Sequence, residues 1–191
     1  WTQVGADIDG EAAGDYSGTV SLSGDGTVVA IGASRNNGTG TWAGHVRVFE
    51  ESGGTWTQVG ADIDGEAAGD TSGFSVSMSS DGTRVAIGAP KNDGAGDVRV
   101  YAESGGTWTQ VGDDIDGEAA NEFSGESVSI SSDGTRVAIG ASLKNSVRVF
   151  SESGGAWTQV GSDIDGEAAD DNSGHSVSMS SDGKRVAIGA P

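Results

Sequence analysis

Trp56-Thr57-Gln58-Val59-Gly60-Ala61-Asp62-Ile63-Asp64-Gly65-Glu66-Ala67-Ala68 is one of four near-identical copies, which start at Trp1, Trp56, Trp108 and Trp157. Only the sixth position varies among them: Ala6, Ala61, Asp113 and Ser162. Downstream of each copy come a Ser-Gly, an alternating Ser/Val stretch, an Asp-Gly and a Val-Ala-Ile-Gly-Ala run. A period of roughly fifty residues built from short strand-like pieces marks an array of supersecondary units. Each unit is too small to bury its own faces, so its stability must come from its neighbours. The array covers 1–191 with units starting at 1, 56, 108 and 157, the last one incomplete.

The second repeat serves as the template. Ser75 to Ser79 alternates small polar and apolar residues, the period of two that predicts a strand, A. Ser80-Asp81-Gly82-Thr83 predicts a hairpin turn and Arg84–Ala89 a strand B. Val98–Tyr101 predicts strand C, and after a turn at Glu103 to Gly106, Trp108–Val111 opens strand D. The acidic segment Asp114 to Glu118 reads as the connection to the next A. Four short antiparallel strands per repeat is the plan of a β-propeller blade. Val76, Met78, Val85 and Ile87 share one face while Ser, Ala and Gly take the other, so a bulky face can meet a small one between blades. The expectation is an all-β propeller with strand A innermost; a solenoid of stacked sheets is the alternative. Strand D at Trp1–Gly5 has no C strand to pair with, which predicts more than four blades or closure against another chain.

The 29 acids against 10 bases leave a net charge of −19. That sign excludes nucleic acid and anionic membrane surfaces as partners. It suits counter-ions such as calcium, cationic partners, or salty surroundings that screen the repulsion. The absence of cysteine rules out disulfides and thiolate chemistry. No stretch approaches the ~18 apolar residues of a membrane span, so insertion is not expected.

Strand parity puts the D–A connections and the B–C loops on one rim. The longest B–C loop, Ser34–Gly44, carries Asn37 and Trp42, and the second repeat's loop carries Asp93. These are the candidate partner-binding residues, Trp42 through stacking on a sugar or a protein. Asn37-Gly38-Thr39 is also a glycosylation sequon. The D–A connections bring together Asp7 and Asp9, Asp62 and Asp64, Asp114 and Asp116, and Asp163 and Asp165. Closely spaced carboxylates offer the oxygen ligands that calcium wants; equally, they can cap turns and pair with Arg47, Arg99 and Arg148. His45 and His175 occupy non-equivalent positions with no visible triad partner, and the acids repeat with the units. The chain is therefore expected not to be an enzyme.

Gly73 to Ser77, Gly88-Ala89-Pro90, Gly189-Ala190-Pro191, Val98-Arg99-Val100-Tyr101 and Trp108 resemble the FG-GAP repeats of integrin-α-type propellers, and the likeness spans the chain. Ser17, Ser72, Ser124 and Ser173 stand where that family has Phe, and Ser34 and Ser142 replace the final Pro. The family's calcium loop between strands A and B is shortened here to Ser79-Ser80-Asp81-Gly82, so no cation is expected there. The resemblance implies an extracellular or cell-surface module that binds a protein or glycan through the D–A and B–C face. Two other classes remain: a structural repeat protein that self-associates into a fibre or coat, and a propeller accessory to a hydrolase.

Overall fold

The computed structural model describes residues 1–191, whose strands run from Ser17 to Gly189. The first sheet holds β1 (Ser17–Leu22), β2 (Val28–Ala33), β3 (His45–Ser52), β4 (Thr55–Gln58) and the two-residue β5 (Ile63–Asp64). The second repeats this with β6 (Ser75–Met78), β7 (Arg84–Ala89), β8 (Asp97–Ser104), β9 (Thr107–Gln110) and β10 (Ile115–Asp116). The third has β11 (Ser127–Ile130), β12 (Arg136–Ala141), β13 (Ser146–Ser153), β14 (Ala156–Gln159) and β15 (Ile164–Asp165). The fourth is the pair β16 (Ser176–Met179) and β17 (Val186–Gly189). All strand ladders are antiparallel, and the one helical turn is a 3₁₀ piece at Asn92–Gly94. No helix is long and apolar enough to cross a membrane.

Strand B is where the pattern places it, and the A–B turn shows why its Asp is constant. Asp81 Oδ1 accepts hydrogen bonds from Ser79 Oγ at 2.7 Å and from the Thr83 N–H at 3.0 Å. Such a side-chain acceptor closes the turn locally. Three of the sequence expectations change. Strand C is longer than Val98–Tyr101, because Tyr101–Ser104 continue into a ladder with Thr107–Gln110. The hairpin between them needs Gly105 and Gly106, at φ +61° and +82°. Second, the acidic segment is no plain connection: Ile115 and Asp116 pair with Val98 and Asp97, sharing the outer edge of the sheet with β9. Third, Trp1–Gly5 forms no strand. With no C strand beside it, this segment lies against the first sheet, where the Val4 carbonyl accepts from Trp56 Nε1 at 3.0 Å.

The core lies between sheets. One cluster joins Ala30, Val46, Val48 and Ile63 of the first sheet to Val76, Met78, Val85 and Ile87 of the second. The next joins Ala86, Val98, Val100 and Ile115 to Val128, Ile130, Val137 and Ile139. The bulky face does meet small residues on strand B, but strand C adds valines to the face expected to be small. Register explains this: Ala86 and Gly88 lie opposite Val100 and Val98, so all four share one face. First strands of successive sheets are neighbours, joined by the same bond each time: Ser21, Ser77 and Ser129 Oγ accept from the N–H of Met78, Ile130 and Met179 at 2.9, 3.0 and 2.9 Å. The serines of strand A therefore satisfy backbone donors of the next sheet's first strand.

Candidate binding rim

The B–C loops and D–A connections meet at one end of the sheets because backbone bonds tie them together. Gly65, Gly69 and Thr71 donate to the carbonyls of Gly44, Thr41 and Trp42 at 2.8, 2.9 and 3.0 Å. The second repeat matches this with Gly117 to Gly96 at 2.7 Å and Ser124 to Ala95 at 3.1 Å.

The first repeat breaks the symmetry on this rim. The Arg35 guanidinium carbon sits 4.0 Å from the centroid of the Tyr16 ring and 5.2 Å from that of Trp42. Both rings remain open to solvent, Tyr16 at 64% and Trp42 at 48%. Their backbones are left-handed, φ +56° and +58°. Asn37 Oδ1 accepts from the Trp42 N–H at 2.9 Å, and Thr39 Oγ1 donates to the Gly65 carbonyl at 2.6 Å, fixing the loop. Asn37 is exposed, as the sequon requires. Asp93 is exposed on the equivalent loop of the second repeat, at φ +44°. Sequence reasoning found Trp42 but not Arg35, which lies in the same loop, or Tyr16, which the fold brings beside them.

The repeated acids separate into distinct environments. Asp7, Asp62, Asp114 and Asp163 each accept from the glutamine four residues earlier, at 2.8, 2.7, 2.6 and 2.8 Å. Asp62 also gathers with Glu11 and His45, and Asp114 with Glu66 and Asp97. Asp163 binds Lys144 Nζ at 2.7 Å, and Glu118 bonds the same ammonium. That bond holds the Asp163 carboxyl below the usual range. Asp9, Asp64 and Asp116 use their backbone carbonyls to accept from Arg47, Arg99 and Arg148, at 2.6, 3.3 and 2.6 Å. The arginines thus reach the neighbouring connection as expected, though they bond its peptide oxygens; the nearest carboxylates stand 3.7 Å from Arg99 and 3.9 Å from Arg148. Partial burial and the nearby Asp62 push the Asp64 carboxyl up; partial burial, Asp114 and Asp93 do the same for Asp116. Asp165 is exposed. None of Asp7, Asp9, Asp64, Asp116 or Asp165 joins a three-ligand cluster.

Asp97 is the unusual member. It opens strand C at 1% exposure, and neither carboxylate oxygen has a hydrogen-bond partner. Burial pushes its carboxyl up to about 7, against the pull of Arg99 and with further push from Asp114 and Glu66. Three equivalent clefts of about 300, 270 and 190 Å³ lie further out, each between an Asp-Ile-Asp segment and the next tryptophan. The Trp108 and Trp157 indoles are pinned there by bonds to the Val59 and Val111 carbonyls, at 2.9 and 2.8 Å.

No family model and no curated protein matches this chain. Solved structures do. A candidate 6-phosphogluconolactonase from Bacteroides fragilis is similar with a TM-score of 0.60 and 18% identity, over 81% of this chain and 40% of that one. Hydrazine synthase from Kuenenia stuttgartiensis gives 0.59 and 15%, over 97% and 44%. A protein of unknown function from Desulfotomaculum acetoxidans gives 0.62 and 13%, over 90% and 48%. The chain spans less than half the length of each, and the likeness concerns the fold. It does overturn one expectation. Repeat symmetry points away from an enzyme, yet a candidate 6-phosphogluconolactonase and hydrazine synthase share this fold, so symmetric sheets are no argument against catalysis.

Proposed function

We propose that the chain forms blades of an FG-GAP-type β-propeller, at the cell surface or outside the cell, that binds a glycan through the rim built by Tyr16, Arg35 and Trp42. The exposed pair of rings clasping one guanidinium carries this reading. A cation between two π-faces holds both rings in place at little cost, which leaves them ready to stack on the apolar face of a sugar. Asn37, Thr39 and Thr41 supply hydrogen-bonding groups on the same loop. The side-by-side A strands and the sheet-to-sheet core support the propeller arrangement.

A glycan array followed by titration calorimetry tests the reading. Binding that disappears in both Trp42→Ala and Arg35→Ala is expected. Binding that is indifferent to both substitutions contradicts a role for this rim, and a protein ligand with the same Trp42 dependence would replace the glycan.

A further inference from the structure

The buried position before the Val-Arg-Val of strand C changes its charge from one near-identical repeat to the next: His45, Asp97 and Ser146. Around it the geometry is constant. A glutamate from the preceding connection (Glu11, Glu66 or Glu118) and an aspartate from the sheet's own outer edge (Asp62, Asp114 or Asp163) converge on it.

In the third repeat the chain itself puts a cation there. Ser146 makes room, and the Lys144 ammonium bonds both Glu118 and Asp163. The first repeat places His45 Nδ1 3.8 Å from Glu11 and 3.6 Å from Asp62, a side chain able to carry positive charge. The second repeat adds a third carboxylate instead. Each of Glu66, Asp97 and Asp114 offers an oxygen within 4.8 Å of the other two. Arg99 is the basic group beside them, 3.7 Å from Glu66 and from Asp97, and its NH2 is already bonded to the Asp64 carbonyl and Ser72 Oγ. Glu66 accepts from Asn92 and Asp114 from Gln110, which orients both carboxylates and leaves each an oxygen for a ligand. Asp97 has no such support. It is buried with both oxygens unpartnered, and a buried carboxylate without partners is costly.

We propose that Glu66, Asp97 and Asp114 form a binding site for one hard divalent cation, calcium in the first instance, in the place that Lys144 fills in the third repeat. The spacing suits it: oxygens about 2.3–2.6 Å from a calcium ion lie at most about 5 Å apart. Three carboxylates match the ion's preference for oxygen ligands, and water can complete the shell at the exposed Glu66 side. The site does not depend on the glycan reading, since it uses none of Tyr16, Arg35 or Trp42.

Chelator-treated protein in about 0.15 M salt, which screens diffuse attraction to the acidic surface, is titrated calorimetrically with calcium, and separately with magnesium and manganese. One equivalent of at least one of these ions is expected to bind, with affinity reduced at least tenfold in Asp97→Asn and a rise in melting temperature seen in the wild type but not in that variant. The paired substitution Lys144→Ser with Ser146→Asp rebuilds the second repeat's ligand set in the third, and is expected to raise the stoichiometry from one ion to two. No stoichiometric binding of any of the three ions overturns the proposal, as does binding that Asp97→Asn leaves unchanged. Asn at position 97 removes a buried charge, so this variant is expected to fold, and a change in binding reads on the ligand set.

Discussion

Gly88→Ala should separate the second sheet from the third. An added Cβ would stand 2.1 Å from the Gly125 carbonyl oxygen, 2.4 Å from Ser75 Oγ and 3.0 Å from the Gly125 carbonyl carbon. Ordinary contact needs more than an ångström beyond the first of these distances. No rotamer can relieve it, because backbone meets backbone. Separation would also loosen the Ser75 Oγ bond to the Gly125 carbonyl, 2.8 Å, and that of the Gly125 N–H to the Gly140 carbonyl, 3.1 Å. Overpacking costs about 1–3 kcal/mol and a net hydrogen bond about 1 kcal/mol. A loss near the top of that span, about 3 kcal/mol, is expected. Gly18→Ala is the control, since its Cβ would meet nothing within 4 Å and its backbone is not left-handed; a change within about 0.5 kcal/mol is expected there. Urea unfolding followed by tryptophan fluorescence measures both through the midpoint at constant slope. Equal midpoints for the two variants would refute close backbone contact between sheets. A Cβ added at Gly32 or Gly140 would stand 2.1 or 2.0 Å from the carbonyl oxygen of Gly73 or Gly174, so these Ala variants should behave like Gly88→Ala.

Further outcomes follow from other contacts. Ala86 is fully buried against Val128 and Ile130, so Ala86→Leu should cost about 1–3 kcal/mol; an unchanged urea midpoint would contradict that packing. Trp108→Phe removes the bond to the Val59 carbonyl and should cost about 1 kcal/mol or more, read by the same assay. Bonds from Ser131 and Thr135 hold the Asp133 carboxyl below its ordinary 3.8. A depressed folded value adds stability that is present above 3.8 and is lost as pH falls from there through the lower folded value, so acid should lower the midpoint less in Asp133→Asn than in the wild type. Asn37 in the exposed sequon should carry a glycan when the chain passes through a eukaryotic secretory pathway, and a bare intact mass would refute this.

The strands were legible because period-two alternation and Asp-Gly turns are local signals. Strand B came out at Arg84–Ala89 to the residue. Two-residue β10 was not legible: alternation cannot show in two residues, and its partners Val98 and Asp97 are distant in sequence. The site divides in the same way. Trp42 stood out as an extra tryptophan in the longest loop; Arg35 shares that loop without a signal of its own, and Tyr16 joins them through the bond from the Arg35 N–H to the Asp15 carbonyl, 3.0 Å. The acids of Asp-Ile-Asp were visible as a composition, yet Asp62, Asp114 and Asp163 turn toward strand C while Asp64 and Asp116 do not join them. Asp97 was missed because its partners come from two other segments. The signal that marks it was present: in repeats this uniform, the change from His45 to Asp97 to Ser146, with Lys144 appearing beside the last, is a change of charge at one fixed place.

The proposed propeller requires the sheets to be arranged about an axis. The A–B turns of neighbouring sheets are already bonded side by side, Gly24 to Ser80, Ser80 to Ser132 and Ser132 to Ser181, at 2.8, 2.9 and 3.0 Å. Nitroxide labels on cysteines replacing Thr83 and Thr135 give the spacing of neighbouring turns by pulsed electron paramagnetic resonance, and labels replacing Thr27 and Lys184 give the span across four. A radial array of blades curves, so the Thr27–Lys184 distance should fall well below three times the Thr83–Thr135 distance. A ratio of three, as in a straight stack of sheets, would contradict the propeller.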